Sequence, residues 1–192
     1  MGMEMVKRIR ELCDGGNVAT PDEVVEVLFT EEEIRTRVRD LAGQISADYA
    51  ERQLVLVSIL RGSVFFATDL ARAIDLPLAM DFLSISSYGE GSEGVVRITK
   101  DLEENIAGKD VLLLEDIIDT GFTLKYLLRT LGGRNPKSIE VCTLLDRRAR
   151  RIIELDLKYV GFEIPDKFVV GYGLDYRQRY RNLPYIGVVK PG

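Results

Sequence analysis

Apolar runs and periodic apolar positions divide the chain into an alternation of strands and helices. Leu54–Leu60 and residues 111–114 are almost continuously apolar, the pattern of strands buried on both faces of a parallel sheet. Val24–Phe29 reads as a shorter strand. Thr30 followed by Glu33 has the form of a capping box, and it precedes a helix whose Ile34, Val38, Leu41 and Ile45 share one face. Residues 64–74 and 124–131 also carry helical periodicity, the second ended by Gly132 and Gly133. Residues 78–86 and Val95–Lys100 read as paired strands, and 138–145 as a further core strand. The recurring order of strand, turn and helix predicts an α/β fold with a doubly wound, mainly parallel sheet, whose ligands belong at the carboxyl ends of its strands. The last forty or so residues break this pattern. Residues 159–164, 168–172 and 186–189 read as short strands interrupted by Pro165, Gly171, Gly173 and Pro184, which predicts a small β-rich hood. The expected organisation is therefore an arm at 1–20, an α/β core at 21–156 and a hood at 157–192.

Composition narrows the chemistry. A chain of 192 residues with 46% hydrophobic content can bury one substantial core. Its net charge of −5 argues against general affinity for nucleic acid or anionic membrane and favours small-molecule partners. No apolar run has membrane-spanning length and the first ten residues lack the apolar centre of a signal peptide, so a cytoplasmic protein is expected. Histidine is absent, which excludes Ser-His-Asp and Cys-His catalysis and His-ligated zinc. Cys13 and Cys142 are too few for a disulfide framework or a four-cysteine metal site. Proton transfer is left to carboxylates, Lys, Tyr or water.

The strand at 111–114 runs directly into Glu115, Asp116, Ile117, Ile118, Asp119, Thr120, Gly121, Phe122 and Thr123. Glu115 and Asp116 can accept hydrogen bonds from two neighbouring sugar hydroxyls or hold a hard cation such as Mg2+. Asp119 to Thr123 offers N–H and hydroxyl donors at a helix N-terminus, where an anion is favoured. A diol site beside a phosphate site suits a ribose 5-phosphate. The plainer alternative is a buried strand followed by a helix capped by Asp119 or Thr120.

The whole stretch from Val111 to Thr123 closely resembles the phosphoribosyl-pyrophosphate (PRPP) motif of the type I phosphoribosyltransferases. Two further segments carry the resemblance. Leu60-Arg61-Gly62 is similar to the family's pyrophosphate loop, in which the peptide before the basic residue is cis. The run from Val160 to Tyr176 matches the hypoxanthine-guanine branch. The resemblance implies transfer of a 5-phosphoribosyl group from PRPP to hypoxanthine or guanine, with Mg2+ as cofactor, in a dimer or tetramer. It implies that Glu115, Asp116, Asp119, Thr120, Gly121, Phe122 and Thr123 grip the ribose phosphate. Arg61, Gly62 and Arg181 would contact pyrophosphate. Arg147 would donate to the purine 6-oxo group, Phe168 would stack on the purine and Val169 would offer backbone groups to its edge. Asp175 beside the purine would share in holding Mg2+ with Glu115 and Asp116. Asp119 would be the base that receives the proton of purine N7. Ser87 and Tyr88 resemble the family's flexible catalytic loop, expected at about 84–100, which closes over the substrate. Two positions depart from the pattern: Arg147 where Lys is common, and Phe122 where a polar residue is common. A xanthine-preferring enzyme and a nucleotide-sensing regulator on the same fold are the rival readings.

Overall fold

A computed structural model describes residues 24–88 and 95–189. Its elements run β1 (Val24–Phe29), α1 (Glu31–Asp48), β2 (Leu54–Leu60), α2 (Val64–Ala73), β3 (Leu78–Tyr88), β4 (Val95–Lys100), β5 (Asp110–Ile118), α3 (Phe122–Gly132), β6 (Ser138–Asp146), a 3-10 turn (Arg148–Arg150), β7 (Tyr159–Glu163), β8 (Val169–Val170) and β9 (Ile186–Val189). Six strands form one sheet in the order β4-β3-β2-β5-β6-β7. All its pairings are parallel except that of β4 with β3.

The apolar runs explain the layering. Leu54, Leu56, Leu112 and Leu114 point to one face, where they pack with Ile34, Val38, Leu41 and Ile45 of α1 and with Phe66 and Leu70 of α2. Val55, Val57, Val111 and Leu113 point to the other, against Leu124, Leu127 and Leu131 of α3. Alternate residues of β2 and β5 thus feed two cores, which is why neither strand shows polar alternation. The capping box predicted at Thr30 is present, with Thr30 Oγ accepting from the Glu33 N–H and the Glu33 carboxylate accepting from the Thr30 N–H.

The C-terminal third differs from the expectation. The strand at Tyr159–Glu163 does not join the hood: it pairs parallel with β6 and ends the large sheet. Phe162 stacks on Phe29 with ring centroids 4.0 Å apart, and Arg37 of α1 donates to the Val160 and Gly161 carbonyls at 2.6 and 2.8 Å. These contacts cover an edge that would otherwise leave backbone groups exposed. The small sheet instead recruits β1, in the antiparallel order β1-β9-β8. The strand expected at 168–172 stops at Val170, because Gly171, Tyr172 and Gly173 have φ of 99°, 49° and 103° and turn the chain away. At the other end, β3 runs through Ser86, Ser87 and Tyr88, which pair with Arg97, Val96 and Val95 of β4, so strand pairing reaches further into the segment 84–100 than expected. Residues 89–94, where a lid was expected, and the arm at 1–20 lie outside the described residues.

Candidate active site

The sheet reverses its winding between β2 and β5: β2 leads through α2 to β3 on one side, and β5 through α3 to β6 on the other. A crevice opens at the carboxyl ends of such a pair, where Arg61 and Gly62 follow β2 and Glu115 and Asp116 lie near the end of β5. Arg61 and Gly62 leave β2 through a cis Leu60–Arg61 peptide. The buried Ser63 hydroxyl closes this turn by donating to the Ile59 carbonyl and lies 2.8 Å from the Ser58 hydroxyl. A Cβ at Gly62 would overlap the Asp116 carboxylate, and one at Gly173 would overlap the Gly62 carbonyl. Three segments distant in sequence thus meet through two glycines, and no larger residue fits either position without displacing them.

Glu115 and Asp116 lie near the end of β5 and are half-buried. Among the described residues, Glu115 Oε2 is buried without a hydrogen-bond partner. Burial, and then the neighbouring Asp116 charge, raise the Glu115 pKa well above the ordinary value. Asp116 is pushed up to about 6, chiefly by burial, against the pull of the Ile117 N–H and of Arg181. Its folded-state value lies above the unfolded 3.8, so the native chain holds a proton that the unfolded chain has released. That contribution to stability is complete below the unfolded value and is lost as pH rises through about 6. In thermal melts Asp116→Asn should therefore gain in Tm relative to the parent chain as pH rises through this window. A Tm difference independent of pH would contradict the assignment.

Beyond β5, an open cavity of about 250 Å3 is lined by Glu115, Asp119, Thr120, Gly121 and Thr123. Gly121, at φ 87°, is the N-cap of α3, and no side chain caps the helix. The alternative of an Asp119 or Thr120 cap is therefore not realised, and the first-turn N–H groups keep their capacity for an anion. Phe122 is the first residue of α3.

Arg147, which directly follows β6, is buried, with 7% of its side chain exposed. Its Nη1 lies 3.0 Å from Asp119 Oδ1 and 3.2 Å from Oδ2, and its Nη2 donates to the Lys167 carbonyl at 2.8 Å. The guanidinium thus joins the β5–α3 loop to the approach to β8. Phe168 is exposed and meets the Tyr176 ring edge-on at 5.5 Å. The Val189 N–H donates to the Phe168 carbonyl at 3.0 Å, beside the Val169–Val188 pair. In an antiparallel ladder that bond makes Val169 a non-hydrogen-bonded position, so its own N–H and C=O point away from β9 toward the open edge.

The hairpin that follows carries Asp175 and Arg181, paired at 2.6 Å. Gln178 was not foreseen. Its side-chain oxygen accepts from Arg61 Nη1 at 3.3 Å and from Arg181 Nη2 at 3.4 Å, bridging the two cations. Arg177, Gln178 and Tyr180 all have positive φ, a local strain that no sequence motif announces.

The phosphoribosyl transferase domain family matches residues 25–177. The chain belongs to this family. Among relatives of this phosphoribosyltransferase, the hypoxanthine phosphoribosyltransferase of Salmonella typhimurium is 51% identical over 169 residues, covering 86% of this chain and 95% of that protein. A hypoxanthine phosphoribosyltransferase structure from Staphylococcus aureus superposes with a TM-score of 0.87 at 49% identity, covering 91% of this chain and 96% of that one. The bifunctional protein TilS/HprT of Listeria monocytogenes is 47% identical over 179 residues. That match covers 92% of this phosphoribosyltransferase but 28% of the bifunctional protein, so the chain spans less than a third of that relative.

Proposed function

We propose that this phosphoribosyltransferase transfers the 5-phosphoribosyl group of PRPP to hypoxanthine or guanine, giving IMP or GMP and pyrophosphate. The observation that carries the reading is the Arg147–Asp119 pair, with Nη1 and Oδ1 3.0 Å apart and Asp119 lining the cavity. It presents a permanent donor and an acceptor side by side. A 6-oxopurine protonated at N7 offers the complementary pair, an acceptor at O6 and a donor at N7. Adenine offers an amino group where Arg147 can only donate. Relatives named for hypoxanthine and guanine support the same substrates.

The purine lies against Phe168, with its other edge at the free backbone groups of Val169. The ribose hydroxyls fall to Glu115 and Asp116, and the 5′-phosphate to the loop from Asp119 to Thr123. Transfer breaks the bond between C1 and the pyrophosphate oxygen and forms the bond between C1 and N9. The N7 proton passes to Asp119, and pyrophosphate leaves toward Arg61 and Arg181, which offset its charge. Ser87 and Tyr88 lie at the end of β3, and the resemblance of this pair to the family's catalytic loop supports a role for them beside the substrate.

The unpartnered Glu115 oxygen next to Asp116 fits a Mg2+ held by one or two carboxylates and completed by substrate and water. No three acidic side chains converge among the described residues, so an all-protein cage is not formed. Each oxygen of Asp175 takes one bond, from Arg181 and from the Gln178 N–H, and keeps a lone pair through which it could share in the site. Bound there, the ion would neutralise charge on the leaving pyrophosphate.

Arg147→Met should lower kcat/KM for hypoxanthine about 10- to 100-fold, the loss of one hydrogen bond to a charged group, while the KM for PRPP stays nearly constant. Steady-state kinetics with each substrate varied checks this. An unchanged kcat/KM for the base would remove Arg147 from purine recognition.

A further inference from the structure

We propose that Arg151 is a positioning residue that aims the backbone of the phosphate loop, an inference that rests on the phosphoribosyl reading of that loop. Three consecutive carbonyls are held from one side by one segment. The Ile118 carbonyl accepts the Arg147 N–H at 3.0 Å, and the Thr120 carbonyl accepts the Ile152 and Ile153 N–H groups at 3.1 and 3.0 Å. Between them the Asp119 carbonyl accepts Arg151 Nε at 3.0 Å. In a trans peptide the C=O of one residue and the N–H of the next point in opposite directions. The one cis bond among the described residues is at Leu60–Arg61, far from this loop in sequence. Clamping these carbonyls therefore turns the N–H groups of Asp119, Thr120 and Gly121 the other way, toward the cavity. The rear is closed, because a Cβ on Gly121 would press on Ile153 and Leu155. Successive N–H groups on one side make an anion-binding nest.

The outer two clasps are backbone bonds, whereas the middle one depends on a single side chain. Arg151 is held in turn by Asp146 at the end of β6, and 12% of each side chain is exposed. Arg150, in the same basic run, stays half exposed and pairs with Asp166. A buried ion pair is weak support for stability, but its fork lets one guanidinium grip a carboxylate and a carbonyl together. Lysine lacks that geometry.

Titration calorimetry with ribose 5-phosphate and, separately, with pyrophosphate in the presence of Mg2+ addresses the two halves of the site. Arg151→Lys should weaken ribose 5-phosphate about tenfold and leave pyrophosphate unchanged. The double variant Asp146→Leu/Arg151→Met removes the pair without stranding a charge and should show the same split. Parental affinity for ribose 5-phosphate in both variants, or equal loss of both ligands, would overturn the role of Arg151. Failure of the parent chain to bind ribose 5-phosphate would instead overturn the reading of the loop beneath it.

Discussion

Asp119→Asn is expected to lower kcat about 10²- to 10³-fold, the range for loss of a general base, with PRPP affinity changed no more than about twofold. The asparagine amide can still accept a hydrogen bond from purine N7 but cannot take its proton. The backbone of residue 119 is held independently, through its carbonyl to Arg151 and through the neighbouring Thr120 carbonyl, so the loop should keep its shape. Arg147 would lose its anionic partner while keeping the Lys167 carbonyl. Some of the effect would therefore appear as weaker base binding. Rapid-quench measurement of the chemical step separates the two, and an unchanged rate for that step would exclude Asp119 as the base.

Alanine at both Glu115 and Asp116 should weaken PRPP about 100-fold or more, since each carboxylate loses a charge-assisted hydrogen bond to the ribose diol or a share of the cation. Stability should move the other way. Glu115 carries a buried, unpartnered oxygen, and burial raises its pKa well above the ordinary range. Its removal relieves a desolvation cost, so Tm should hold or rise while binding collapses, the mark of a group retained for function. Fluorescence titration with PRPP and Mg2+, beside thermal melts, checks both halves. Retained PRPP affinity would remove the pair from the diol site.

Much of this was legible in the sequence because its physics is local. A strand buried on both faces must be apolar throughout, so β2 and β5 announced themselves, and the acidic pair and the Thr-Gly-Phe-Thr turn stood at the carboxyl end where a parallel sheet binds ligands. The capping box at Thr30 was equally local. Sheet membership was not. The strand Tyr159–Glu163 has the same short, glycine-containing character as its hood neighbours, and only the tertiary contacts of Phe162 and Arg37 place it beside β6. A charge run such as Asp146 to Arg151 does not by itself tell inward cations from outward ones. The 3-10 turn at Arg148–Arg150 divides it, sending Arg148 and Arg150 outward while Arg147 and Arg151 turn back into the site. Gln178 had no signal at all, since its role depends on Arg61, 117 residues earlier in the chain, being brought beside Arg181.

The central claim is that the Arg147–Asp119 pair selects a 6-oxopurine for phosphoribosyl transfer. Pyrophosphate release measured with PRPP, Mg2+ and each of hypoxanthine, guanine, xanthine, adenine and uracil in turn tests it most directly. The account predicts release with hypoxanthine or guanine, matched by IMP or GMP, and none above background with adenine or uracil. Release with adenine, or none with either hypoxanthine or guanine, would contradict it.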